Sequence, residues 1–406
     1  MIRLLAALVL LLTACTGASG EPPGTTGAIT FVDGLDTSAG EQVTRLVARW
    51  NDAHPLEPVT FKEMAQSTDV HRAQLMARSQ DLAGADDPRY DGQCYDVMNL
   101  DSVWTAAFAG SGYLEPLPAD AFGADRMLPQ AVESARRDEH SLWAVPWRVD
   151  AGLLYYRKDV LEQEGEAPPR TWAELERLAS ELGPAHGLAG YVGQFAEYEG
   201  VTVNALEAVW AHGGDPLRPD GPGAKQGVDV LARGFAEGWI PREALDFREE
   251  ESRVAFQSGR ALFMRNWPYV QPRLAGPDSD VAGRWGVTRL PGPSALGGWN
   301  LAVSRCSANQ ETARAFIRFL TGADTQRALF DAAGWAPSLE ALYRDEVPAL
   351  LAEAVRAARS RPTSAHYDEL TSVMRQRFRL ALQNPNAVDS LLDGLADEVR
   401  RVGGGR

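Results

Sequence analysis

Apolar residues recur along this chain with two alternating periods. Residues 28–32 form a short β-branched and aromatic run that reads as a strand. Val43, Leu46, Val47 and Trp50 then fall at i, i+3, i+4 and i+7, the spacing of one helical face. Residues 59–62 repeat the strand pattern and residues 69–79 the helical one. A third strand over 95–100 runs into Asp101-Ser-Val-Trp104 and a helix that stops near Gly110 and Gly112. Strands alternating with helices predict a parallel sheet whose functional residues lie in loops after the carboxyl ends of strands. Asp36 and Asp101 both fall in such loops.

The pattern changes at Trp143-Ala-Val-Pro-Trp-Arg-Val-Asp150-Ala-Gly-Leu-Leu-Tyr-Tyr-Arg-Lys-Asp159. Pro146 biases Val145 towards extended backbone, and the apolar run over 151–156 suits a buried strand. We read this stretch as the first crossing from one α/β lobe into another, with Asp150 facing the cleft between them. Thr171-Trp-Ala-Glu174 then opens a helix with a capping box. A short strand is expected over 190–193 and a helix over 204–210. A helix ending at Gly259 precedes a strand over 261–264 and a polar loop carrying Trp267. The Pro/Gly-rich residues 290–299 predict the second crossing, leading into a strand over 300–304, and Gly334-Trp335-Ala-Pro337 the third. Val388, Leu391, Leu392, Leu395 and Val399 line one face of a final helix. The expected fold is therefore two α/β lobes joined by three hinge crossings. One lobe spans 28–146 plus 291–334, the other 147–290 plus 335–406. Lobes on short hinges can swing, and the cleft between them is a natural ligand site.

Charge and the N-terminus narrow the setting. A net charge of −15 over 406 residues excludes a nucleic-acid partner, because no basic surface would neutralise phosphates. After Arg3, residues 4–12 form an apolar run too short to span a membrane, with the shape of a secretory signal over 1–14. Leu12-Thr-Ala-Cys15 resembles a bacterial lipobox, which implies a lipid on Cys15 and a membrane anchor; the bland alternative is a signal that happens to end in Cys. Residues 15–27, rich in Gly, Ser, Thr and Pro, read as a flexible tether. Cys94 and Cys306 are either a disulfide or two buried thiols, in a compartment that permits the bridge. Nothing asks for a dimer, so a monomer is expected.

Candidate chemistry follows one theme, an aromatic beside a carboxylate or guanidinium at a strand end. Asp101 with Trp104, Trp147 and Arg148 with Asp150, Arg265 and Asn266 with Trp267, and Gly298 with Trp299 all fit. Neutral sugars need this mixture: charged groups read the hydroxyls and flat aromatics pack on the C–H faces. The alternative for each of the 11 tryptophans is core packing. No nucleophile elbow, His-Glu-x-x-His, P-loop or dinucleotide fingerprint occurs, so neither cofactor nor metal is expected. A glycosidase needs two carboxylates ~5–10 Å apart, so a cell-surface glycoside hydrolase stays open as the enzymatic alternative.

At Asp96-Val-Met-Asn-Leu-Asp-Ser-Val-Trp104, Ser111-Gly-Tyr-Leu-Glu-Pro-Leu117, Val149 to Asp159, Phe263-Met-Arg-Asn-Trp-Pro-Tyr269, Leu296-Gly-Gly-Trp299 and Arg361-Pro362, the chain resembles the family 1 solute-binding lipoproteins of ABC sugar importers. It is most similar to their trehalose/maltose-binding branch. The resemblance implies a type II periplasmic-binding-protein-like fold, no catalysis, an α-linked disaccharide ligand, and an ABC permease partner at the extracellular face of the bacterial cytoplasmic membrane. Carried over residue by residue, it implies that Asp101 and Asp150 bind hydroxyls, Trp267 stacks on a ring, Gly298 and Trp299 form a contact loop, and Arg361 and Arg72 reach the ligand. Glu199 aligns with a similar Tyr-Glu-Gly stretch. Asp36 is a candidate by position, with Glu41 as its rival. Arg148 stands where related disaccharide binders carry a tyrosine, which leaves another oligosaccharide or polar solute as an alternative.

Overall fold

The structure, a computed structural model, describes residues 25–36, 38, 40–65, 67–83, 94–345, 347–362, 364 and 366–404. The signal, Cys15 and most of the tether lie outside the described residues. Among the described residues the strands are β1 (Ile29–Asp33), β2 (Val59–Glu63), β3 (Val97–Asp101), β4 (Leu117–Pro118), β5 (Ser141–Leu142), β6 (Val145–Ala151), β7 (Leu153–Arg157), β8 (Ala189–Val192), β9 (Ala261–Asn266), β10 (Trp285–Arg289), β11 (Ala295–Val303) and β12 (Arg359–Ser360). The first sheet runs β12-β11-β3-β1-β2, with β6 also paired to β11. The second runs β10-β7-β9-β8.

Both faces of the first sheet are covered, as its alternation requires. Phe31, Val97, Leu301 and Val303 point to one core with the helices Gln42–Ala53 and Gln310–Leu320. Val32, Met98 and Ala302 point to the other with Leu75, Trp104 and Phe108. The second sheet sends Leu154 and Tyr191 into a core shared with the helices Glu199–Ala211, Pro222–Glu237 and Tyr367–Gln383.

Three expectations about the crossings need correction. The apolar run over 151–156 is not one strand: β6 pairs antiparallel with β11 in the first sheet, and β7 with β9 in the second. The passage is the single residue Gly152, where a Cβ would lie 2.6 Å from both Arg265 and Glu207. Residues 147–151 therefore belong to the first sheet, not the second lobe. The third passage is also longer than Gly334–Pro337. Val149 N–H donates to Ala336 O at 2.9 Å, and β12 joins the edge of β11 before the helix Tyr367–Gln383 reaches the second core. Likewise, β11 begins at Ala295, so Gly298 and Trp299 are strand residues rather than linker.

Cys94 and Cys306 are disulfide-bonded, with Cα atoms 5.8 Å apart. They flank the antiparallel neighbours β3 and β11, where Val97 faces Val303. A cross-link over so long a loop restricts the unfolded chain. Replacing both cysteines with serine is expected to cost about 2–4 kcal/mol of stability, measured by urea unfolding without reductant.

Candidate functional site

Strand ends from both sheets converge on a cleft of about 370 Å³. Asp33 and Asp101 terminate β1 and β3, as the parallel-sheet rule expects. Arg148 and Asp150 project from β6, Gly298 and Trp299 from β11, and Glu199 opens the helix Glu199–Ala211. Trp267 follows β9, while Trp335 and Arg361 come from the third passage. Asp36, Asp101, Arg148, Asp150, Glu199, Trp267, Gly298, Trp299 and Arg361 thus share one cavity.

Three of these candidates are tied to one another. Arg361, fully buried, donates through Nη2 to Asp101 at 2.6 Å and through Nη1 to Glu199 at 2.7 Å. Thr371 Oγ1 donates to the second Glu199 oxygen at 2.6 Å, and Tyr367 OH to the first. Asp150 stands apart, since its carboxylate has no hydrogen-bond partner among the described residues. Loss of water pushes its pKa up to about 6, an effect that Arg148 opposes and Asp101 reinforces. Asp33 is raised in the same sense by burial, offset by Arg148 at 3.8 Å and a hydrogen bond from Asn99.

The aromatic surface is ordered around cations. The Arg148 guanidinium carbon lies 4.0 Å from the Trp335 ring centre and 5.1 Å from that of Trp299. Arg265 stacks under Trp267 at 3.8 Å, and this half-buried indole lines the cleft. Arg265 itself is fully enclosed in a bidentate pair with Glu207, at 2.7 and 2.8 Å, so it supports the site rather than lining it. Asn266, Trp104 and Trp147 are likewise buried, the two tryptophans in the core packing that the sequence offered as their alternative. Gly298 is required where it stands. Its φ is +151°, and a Cβ would approach Arg148 O to 2.7 Å.

Two candidates do different work. Asp36 lines the cleft, but its carboxylate accepts from Ser38 N–H and from Val43 N–H at 2.9 Å, holding the start of the helix Gln42–Ala53. Its rival Glu41 is exposed and outside the cavity. Arg72 is the correction: it does not line the cleft. On the helix Thr68–Ala83 it pairs with Asp368 of the helix Tyr367–Gln383, and Asp69 pairs reciprocally with Arg375. Two opposed ion pairs thus join the lobes beside the site. The residue before it, His71, takes the cleft position instead.

Sequence reasoning also missed Tyr198, Arg248, Glu249, Tyr269 and Trp335 as lining residues. Trp335 and Tyr269 lay within stretches already singled out, and Asp33 obeys the rule that found Asp101. Glu249 to Glu251, three acids in the first turn of the helix Glu249–Gln257, carried no local signal of a site.

With this geometry in view, the comparisons are decisive. The family model for bacterial extracellular solute-binding proteins matches residues 35–327. The chain belongs to that family. A probable ABC transporter-binding protein of Deinococcus radiodurans is 34% identical over 292 residues, covering 65% of this chain and 69% of that one. A mannitol-binding protein of Pseudomonas aeruginosa is 26% identical, covering 73% and 69%. The solved structure of maltose-bound MalE3 from T. maritima superposes with a TM-score of 0.84 at 32% identity, covering 93% of this chain and all of the other. This solute-binding protein has the two-lobed architecture, serves an ABC importer and is not an enzyme. The glycosidase alternative is thereby removed. Among the described residues, no helix is long and apolar enough to cross a membrane.

Two predictions follow from the geometry. Arg72→Ala should change solute affinity less than about fivefold, because partly exposed ion pairs contribute ~0–1 kcal/mol; calorimetry is the check. Asp150 binds its proton more tightly when folded than when unfolded, so it lowers stability as pH rises from about 4 to about 6. Asp33 shares that sign and His71, lowered to about 4, has the opposite one. The difference between wild type and Asp150→Asn in unfolding free energy should therefore grow across that window and level off above it.

Proposed function

We propose that this protein captures an α-linked disaccharide, trehalose or maltose, and delivers it to the transmembrane subunits of an ABC permease. One observation carries the reading. The indoles of Trp267, Trp299 and Trp335 line one cavity of about 370 Å³ together with a carboxylate, Asp150, that has no hydrogen-bond partner among the described residues. Sugar hydroxyls would supply the donors that Asp150 lacks, at ~1.5–3 kcal/mol per charged hydrogen bond. The volume sits near the lower end of the ~300–1,000 Å³ typical of small-molecule pockets, which favours a one- or two-ring solute. The maltose held by the T. maritima relative supports the same class. Capture is a population shift: the solute binds the closed arrangement better because both lobes then touch it. In this reading the protein acts as a monomer outside the cytoplasmic membrane, anchored by a lipid on Cys15.

A second reading, a polyol or another polar solute, is favoured by Arg148. Its guanidinium lines the cleft among indoles, a more polar neighbour than the tyrosine expected of disaccharide binders. The 26% identical relative named a mannitol-binding protein supports it as well.

A thermal-shift panel of trehalose, maltose, glucose, mannitol and free amino acids separates these readings, since a ligand of the native state raises the melting temperature. The largest rise should come from a disaccharide; a rise with mannitol alone would replace the proposal with the second reading. Trp267→Ala and Asp150→Ala should each weaken binding of the active sugar about tenfold, or ~1.4 kcal/mol. Unchanged calorimetric affinity in both variants would remove these two assignments.

A further inference from the structure

Helix Thr68–Ala83 offers the cleft a ring with hydrogen-bonding capacity that the protein leaves unused. His71 is 1% exposed, yet it lines the cavity between Asp101, Arg148 and Trp299. Its Nε2 is buried with no hydrogen-bond partner among the described residues. Interior polar groups are usually satisfied, and one left open beside a ligand cavity points to a partner that arrives later. The ring is also fixed in place. It lies against Trp299 with centroids 5.9 Å apart and planes 17° from parallel, and meets Trp104 edge-on at 5.6 Å.

The charges around it decide which form of the imidazole is present. Burial and the neighbouring Arg148 lower its pKa to about 4, against an opposing pull from Asp101. At neutral pH the ring is therefore uncharged, with one nitrogen a donor and the other an acceptor. An imidazolium would demand an anion. A neutral imidazole suits a hydroxyl, which can both give and accept a hydrogen bond. Arg72 is rotated by about 100° from His71 on the helix and is committed to Asp368.

We propose that His71 is a specificity-determining contact of the cleft: a neutral imidazole that hydrogen-bonds one particular hydroxyl of the bound solute. The inference rests on the reading of the cleft as a site for polyhydroxylated solutes, not on which of them it takes. A site built to pair a hydroxyl rejects the analogue lacking it far more strongly than a site built on shape, because its own polar group is then stranded.

The experiment uses His71→Phe in the full-length protein, with the panel member that raises the melting temperature most as the probe. Phenylalanine keeps a ring against Trp299 and removes both nitrogens. Its affinity should fall about tenfold or more by calorimetry, and His71→Gln should recover part of the loss. Monodeoxy analogues of the probe then separate recognition from packing. Wild type should discriminate against one analogue about tenfold, and His71→Phe should bind that analogue and the parent equally. Undiminished affinity in His71→Phe, or a His71→Phe protein that keeps the wild-type discrimination against every analogue, would overturn the proposal. If mannitol is the probe that emerges, the disaccharide reading fails, while the His71 contact is judged by the same comparison with deoxy-mannitols.

Discussion

A single guanidinium with a carboxylate from each lobe holds this cleft in its present arrangement. Asp101 ends a strand of the first sheet, Glu199 begins a helix of the second core, and Arg361 reaches both from the last passage between them. Taking ions out of water costs several kcal/mol each, and the cost is recovered when each is paired and further hydrogen-bonded. Glu199 meets that condition through Thr371 and Tyr367, both on the helix that follows Arg361. Removing one member would strand the others, at about 3–5 kcal/mol for a broken buried pair. The same pairing has a functional corollary. With these three charged groups satisfied by one another, Asp150 stands in the same cavity without a hydrogen bond among the described residues.

Beneath the site, a second enclosed ion pair packs where the chain passes between the sheets. Glu207 and Arg265 sit under Gly152, the one-residue passage between the sheets, and Glu207 also accepts from Ala295 N–H at 2.9 Å where β11 begins. Two of the chain's passages are thereby gathered around one carboxylate. The stacking of Arg265 under Trp267 extends this support to the aromatic floor of the cleft.

Much of the site was legible because parallel sheets place chemistry at strand ends, a rule that needs no contacts. Asp101, Asp150, Trp267 and Arg361 were found through their positions and through family-like motifs. What escaped notice depended on rotation or on long-range pairing. His71 and Arg72 are neighbours in sequence, and which of them meets the cavity is set by how one helix is turned against another. The split of residues 145–157 between two sheets was hidden because both halves are apolar and extended, and periodicity does not say which sheet a strand joins. Gly298 read as linker because glycine is common there. The structure places it within β11, where the neighbouring Arg148 backbone leaves no room for a side chain.

The opposed ion pairs beside the mouth have a bearing on how the jaws meet. Asp69 and Arg72 on one helix answer Arg375 and Asp368 on the other, so the charge order is reversed across the gap. A sideways slip would bring acid towards acid and base towards base, and juxtaposed like charges disfavour wrong alignments. When both pairs form, they therefore key the two helices to a single alignment, like the halves of a fastener.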